Sequence, residues 1–197
     1  MPKVVDHEER RAELRDAVWR LASRDGLEAL TLRGVAAEAG CSTGALVHYF
    51  PDKEALLLFA FRTVADRVMR RVAEAEEATD DPFELARAML VEGLPLDRER
   101  QAEVRVRFAF LGLALSRPAL ARDQRLTYRA WRTRIAERLT EAQERGDVRS
   151  GVDPDAEAAA LVALVDGLAV QATFEPRALS AERQLALVDA RLDSLRA

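Results

Sequence analysis

The chain has 197 residues, 49% of them apolar and 32% charged, with a formal net charge of −4. That length supports one globular unit with a sizeable core, or two small helical modules sharing one. It contains no run of 18 apolar residues, so no bilayer span is expected, and the opening MPKVVDHEERR has no apolar run of signal-peptide length, which argues against export.

Strand signals are nearly absent, and Ala, Leu, Glu and Arg, all good helix formers, dominate. Leu14, Ala17, Val18 and Leu21 share one face of a first helix over 7–24, and Gly26 stands at its C-terminal cap. Thr31 caps a short second helix, 32–39, which Gly40 ends; Ser42 caps a third, 43–49, which Pro51 stops. Asp52 caps a longer fourth helix over 53–78. Asp81-Pro82-Phe83-Glu84 reads as a start signal, with Asp81 as cap, Pro82 in the first turn and Glu84 closing a capping box. This fifth helix ends near Gly93-Leu94-Pro95. The sixth, 98–116, carries Val104, Val106, Phe108, Phe110, Leu111, Leu113 and Leu115 nearly all round, which predicts a central position. Pro118 opens a seventh that ends near Gly146, Asp153-Pro154 an eighth to about 173, and Ser180 a ninth to about 195. The fold class is therefore all-α with about nine helices.

The segment 31–53, TLRGVAAEAGCSTGALVHYFPDK, carries the function. Two helices of about seven residues cannot stand alone in water, so they must pack on each other and on the first helix through Val35, Ala36, Ala39 and Leu46. Gly40 permits the sharp turn between them. The start of the third helix then exposes Ser42, Thr43, Gly44, Ala45 and Val47, small side chains that allow close approach to a DNA groove. Residues 1–53 hold eight basic and nine acidic side chains, so DNA contact must rest on a few placed cations rather than a broad positive field. Lys3 and Lys53 are the sole lysines; the other basic residues are arginine.

The run LASRDG, TLRGVAAEAG, CSTGALVHYF, PDKEALL over residues 10–60 resembles the TetR family of bacterial repressors. Ala36, Gly40 and Leu46 match the general helix–turn–helix spacing; Tyr49-Phe50 and Lys53 match the family more narrowly. The resemblance implies a DNA-binding domain over 1–52, a helical ligand-binding and dimerisation domain over 53–197, and a cytoplasmic homodimeric repressor released from operator DNA by a small-molecule effector. It implies phosphate contacts for Thr31, Tyr49 and Lys53, the last through a helix N-terminus. It places Arg33, Thr43, Gly44, Val47 and His48 where the family reads bases, with Ser42 and Ala45 beside them on the exposed start of the third helix. Thr43 can hydrogen-bond several bases and Val47 can meet a thymine methyl. The family often has an aromatic residue at the position of Val47, so a groove-filling contact is not carried over. Each position also has a plainer reading: Thr31 and Ser42 as caps, Tyr49 as a core aromatic, His48 and Arg33 as surface groups.

Dimerisation is expected on the last two helices, through Leu161, Leu164, Val165, Leu168 and Phe174 on one and Leu185, Val188 and Leu192 on the other. The alternative is that these stripes face the chain's own core. The fourth to eighth helices would enclose a cavity lined by Met89, Phe108, Tyr128, Trp131 and Gln171, which could equally be core residues. Arg122, Arg125, Arg129 and Arg132 read as a solvated face. Cys41, the lone cysteine, suits a reducing cytoplasm and reads as a small buried hydrophobe. No cofactor and no metal are expected. An enzyme is disfavoured because His7 and His48 lie far apart and no GxSxG, P-loop, HExxH or dinucleotide motif occurs. The remaining rival is a helical small-molecule-binding or adaptor protein without sequence-specific DNA binding.

Overall fold

A computed structural model describes residues 7–197, with side chains from Glu9 onward except Leu27; the opening hexapeptide lies outside the described residues. Among these, nine α-helices occur: α1 His7–Asp25, α2 Leu32–Glu38, α3 Thr43–Val47, α4 Lys53–Ala78, α5 Pro82–Val91, α6 Arg98–Ala114, α7 Pro118–Arg145, α8 Pro154–Phe174 and α9 Ala181–Asp193. A 3-10 turn, Leu27–Ala29, joins α1 to α2 and had no sequence signal.

Most boundaries follow local chemistry. Thr31, Ser42, Asp52, Asp81, Asp153 and Ser180 all cap, each accepting a hydrogen bond from a backbone amide in the first turn of its helix. Asp97 caps α6 in the same way. The expected capping box at α5 does not close: the Asp81 amide donates to Thr79 Oγ1 at 3.1 Å instead, and Glu84 reaches toward Arg196. Gly26 and Gly40 take left-handed φ values of 79° and 63°, which lets the chain reverse after α1 and between α2 and α3. The third helix closes two residues earlier than its sequence suggests, at Val47.

The core has two lobes. The first joins α1, α2 and α3 to the N-terminal half of α4 and to Val106, Phe110, Ala114 and Leu120 of α6 and α7. Packing thus crosses the 52/53 position at which α4 begins. The second joins α5, α8, α9 and the C-terminal half of α7. As expected, α6 sits centrally, against α1, α4, α7 and α8; Leu115 at its end is nevertheless 85% exposed. All four arginines of the α7 stripe, Arg122, Arg125, Arg129 and Arg132, are exposed.

The expected dimer stripes need correction. Leu161, Val165, Leu168, Val188 and Leu192 are buried in the chain's own second lobe, and Leu164 and Leu185 are half-buried. Phe174 alone of the eight is largely exposed, at 81%. The buried face of α8 is Ala158, Leu161, Val165, Leu168, Ala169 and Ala172, and Ala159, Ala163, Val170 and Phe174 face out. By length and composition α8 is also apolar enough to cross a membrane, contrary to the expectation from run length. It packs along α7 and supplies the second lobe instead.

Candidate functional site

Two sites emerge, one at each lobe. The first is the surface of α2 and α3. Thr31, Arg33, Ser42, Thr43, Gly44, Ala45, Val47, His48 and Lys53 are all exposed, and Tyr49 is half-buried against the first lobe beside Phe50. Leu46, inside this set, is fully buried and anchors α3. Val47 keeps half its surface in solvent, an unusual position for an aliphatic side chain without a partner. The acidic charge of α2 points elsewhere: Glu38 accepts from Arg20 and is paired with Arg24, both on α1, and these bonds hold its carboxyl below the ordinary range. The exposed surface of α2 and α3 therefore carries no unpaired carboxylate of α2. Cys41 is partly buried at the turn, packed against the first lobe.

The second site is a cavity of about 100 Å³ between the lobes. Phe61, Val64 and Met69 of α4, Met89 of α5, and Trp131 and Ile135 of α7 give it an apolar wall. Arg107 of α6, Gln124 and Tyr128 of α7, and Asp166 of α8 form a polar end. Of the five residues expected to line it, Met89, Tyr128 and Trp131 do. Phe108 lies outside the lining because its neighbour Arg107 takes the inward face of α6, with Phe108 under that guanidinium at 5.0 Å. Gln171 lies outside because α8 leaves the cavity after Asp166, so that Gln171 is exposed. Gly93 closes the end of α5 onto α8; a Cβ there would stand 2.4 Å from Val165 Cγ1.

Tyr128 donates its hydroxyl to Asp166 Oδ2 at 2.7 Å. Burial, reinforced by this bond and by the charge of Asp166, pushes the phenol up to about 12. The neutral phenol is the form the fold favours, so this contribution to stability is present below pH 10 and is lost as pH rises toward 12. The chain has two tyrosines. An absorbance titration should show a tyrosinate forming late, toward pH 12, and Tyr128→Phe should delete that late step; a late step that survives the substitution would overturn the assignment.

Behind the cavity, the buried carboxylates Glu92 and Glu103 are each held by two arginines. Arg71 of α4 binds both, Arg100 of α6 binds Glu92, and Arg67 of α4 binds Glu103. Burial opposes the charge on Arg71, but Glu103 and Glu92 outweigh it and hold its pKa above the ordinary value. Arg67 also lies 4.5 Å above the ring of Trp19 in α1. One side chain thereby ties the cavity's rear wall to the DNA-facing module. Sequence spacing could not reveal this cluster, because its members lie on three different helices.

Family models match both parts of the chain: the tetR regulatory-protein model over residues 14–59 and the C-terminal model of BetI-type transcriptional repressors over 82–197. The chain belongs to the TetR family of bacterial transcription regulators. It is 34% identical to the regulator PksA of Bacillus subtilis, over 93% of this chain and 88% of that protein. A Rhodococcus transcriptional regulator of known structure superposes with a TM-score of 0.79 at 32% identity, covering 94% of this chain and 95% of its own. A regulator from Saccharomonospora viridis, solved in complex with choline, gives a TM-score of 0.81 at 26% identity, covering 93% and 95%. These relatives are regulators of transcription, not enzymes, in keeping with the absence of catalytic motifs in the sequence. The adaptor alternative gives way with them: the family binds operator DNA and small-molecule effectors, and acts as dimers.

Proposed function

We propose that this TetR-family chain is a homodimeric repressor that holds its operator through the α2–α3 surface and releases it when a small molecule fills the inter-lobe cavity. The continuity of α4 carries this reading. The same unbroken helix starts at exposed Lys53 and forms the cavity wall from Phe61 to Met69. Sixteen helical residues span about 24 Å, so a small tilt of the cavity wall becomes a displacement at Lys53. An occupant that fits one tilt better than the other would shift the separation of the two recognition helices away from one DNA turn. The choline bound by the Saccharomonospora relative makes a small cation one effector class to test.

Dimerisation is assigned to the outer face of α8 and α9. Ala159, Ala163, Val170 and Phe174 follow helical spacing along α8, and Leu187 and Ala190 along α9; all six are exposed. Small residues at this face permit close helix approach, and Phe174 and Leu187 supply apolar area. A four-helix contact with a second copy matches the family's dimeric habit.

Within the DNA surface, Thr31, Tyr49 and Lys53 are assigned to the phosphate backbone, and Arg33, Ser42, Thr43, Gly44, Ala45, Val47 and His48 to the base edges. Operator binding of two single variants tests the assignment. Lys53→Ala should weaken binding to every sequence alike and lower the salt slope by about one unit per site removed. Thr43→Ala should change which sequence is preferred. The reverse pattern would overturn these roles, and no preference for operator over random DNA would overturn the regulator reading itself.

A further inference from the structure

The cavity's polar end holds a cation that its own protein leaves under-compensated. Arg107 donates through Nη2 to the Gly93 carbonyl at 2.9 Å, a neutral acceptor. Among the described residues its nearest carboxylate is Asp166, at 3.7 Å, beyond hydrogen-bonding reach, with the charge of Glu103 acting from farther off. The other oxygen of Asp166 is engaged by the Tyr128 hydroxyl. Arg107 Nε is buried with no acceptor at all. Burial pulls the guanidinium below its ordinary pKa even with Asp166 nearby, so the setting disfavours its charge. About a quarter of the side-chain surface, 26%, is still accessible at the cavity for an occupant to cover.

A second donor is available beside it. Gln124 is buried at 7% exposure, lines the same cavity, and has one amide position unpartnered. Rotation of the amide presents either its oxygen or its NH2 there. The remaining lining carboxylate, Glu92, is spent on Arg71 and Arg100. Phe61 has one ring face covered by Phe110, 4.1 Å away, and Tyr128 carries Arg132 at 6.0 Å. A quaternary ammonium would therefore meet the like charge of Arg107, with Asp166 already shared between Tyr128 and Arg107 and two of the three aromatic rings in the lining already partnered. The cavity is small, about 100 Å³ against roughly 150 Å³ for an engineered enclosed cavity that takes benzene, but it opens to solvent on one side, so a compact body seats partly inside it.

We propose that the effector is a small monocarboxylate with a compact apolar body, its carboxylate on the accessible part of the Arg107 guanidinium and the Gln124 amide, its body between Met89, Phe61 and Trp131. This rests on the reading of the cavity as the effector site. An anion there supplies the missing acceptor and offsets a buried charge, the arrangement in which a hydrogen bond is strongest. Asp166 is the opposing group: it repels an incoming carboxylate, and its retreat toward Tyr128 accommodates one.

Calorimetric titration of the whole protein with benzoate, its neutral near-isostere acetophenone, and choline tests the proposal. Benzoate should bind at least about tenfold more tightly than acetophenone, the difference expected of one charge-assisted hydrogen bond over a neutral one, and choline should give no heat. Arg107→Met should reduce the preference for benzoate over acetophenone to within about threefold, with helicity by circular dichroism confirming the fold. Asp166→Asn should instead tighten benzoate, which keeps the test decisive where the arginine variant does not fold. Equal binding of benzoate and acetophenone to the parent protein, tightest binding of choline, or binding of none of the three each overturns the proposal. Operator release is read separately. Benzoate that binds by way of Arg107 but leaves operator affinity unchanged defeats the effector-site reading and leaves the ligand chemistry standing. Choline that releases operator while benzoate does not defeats the ligand chemistry and leaves the effector-site reading standing.

Discussion

Phe110→Ala should destabilise the chain by about 3–5 kcal/mol, the usual range for a buried phenylalanine truncated to alanine. At this chain length that lowers the thermal midpoint by roughly 6–20 °C. The ring is fully buried and stacked at 10° on Phe61, which belongs to the first lobe and also lines the cavity. Neither ring can move far to fill the void, because Val106 and Leu57 are also fully packed there. The expected loss is therefore shared: calorimetry should show one transition, moved down as a whole, with operator binding and ligand binding failing together. Leu115→Ala, at a position 85% exposed on the same helix, should stay within about 0.5 kcal/mol of the parent. Two separate endotherms, with the lower alone shifted, would show that the lobes fold independently and that Phe110 does not couple them.

This coupling bears on mechanism as well as stability. The DNA-facing helices have no core of their own; Leu14, Val35 and Leu46 share one with Leu56, Phe61 and Phe110. Arg67 adds a polar tie, from Glu99 and Glu103 on α6 to the face of Trp19 on α1. A ligand that separates α4 from α6 must disturb both. On the proposed reading, an occupant of the cavity would press on α4, the helix that begins at Lys53 and lines it from Phe61 to Met69.

What the sequence made legible was local. Helix starts follow from a side chain bonding an amide two or three residues on, so Thr31, Ser42, Asp52, Asp81, Asp153 and Ser180 declare themselves in order. The helix–turn–helix is legible for the same reason, since its turn glycine and small inward residues lie within twenty positions. The C-terminal half is not, because its determinants are long-range. Arg107 meets Asp166 across 59 positions and Arg87 meets Asp189 across 102, and no periodicity records such pairings. The α8 and α9 stripes were misassigned because an apolar stripe says that something covers it, not what. Two stripes run along α8: Leu161, Val165 and Leu168 are buried, and Ala159, Ala163, Val170 and Phe174 are exposed. Bulk does not separate them, since Ala158, Ala169 and Ala172 are buried as well, so only the fold tells which stripe is left for a partner.

Phe174→Asp should therefore convert the dimer to monomers while leaving the fold intact. Phe174 is 81% exposed at the last residue of α8, so within its own chain it has little packing to lose. At a two-fold contact every substitution enters twice, and a carboxylate placed between two apolar surfaces keeps the full cost of its lost hydration. Sedimentation at micromolar concentration should shift from two chains to one, and helicity should be unchanged. Operator affinity should fall by several orders of magnitude, because one α3 reads one half-site and the phosphate contacts of the second are lost with it. Val188→Asp makes the contrast. Its side chain is fully buried in the second lobe beside Leu161 and Leu192, so a charge there should unfold the chain rather than dissociate it. A Phe174→Asp protein that remains dimeric, paired with a Val188→Asp protein that is folded and monomeric, would return the interface to the stripe of large residues and leave the exposed alanine face without a role.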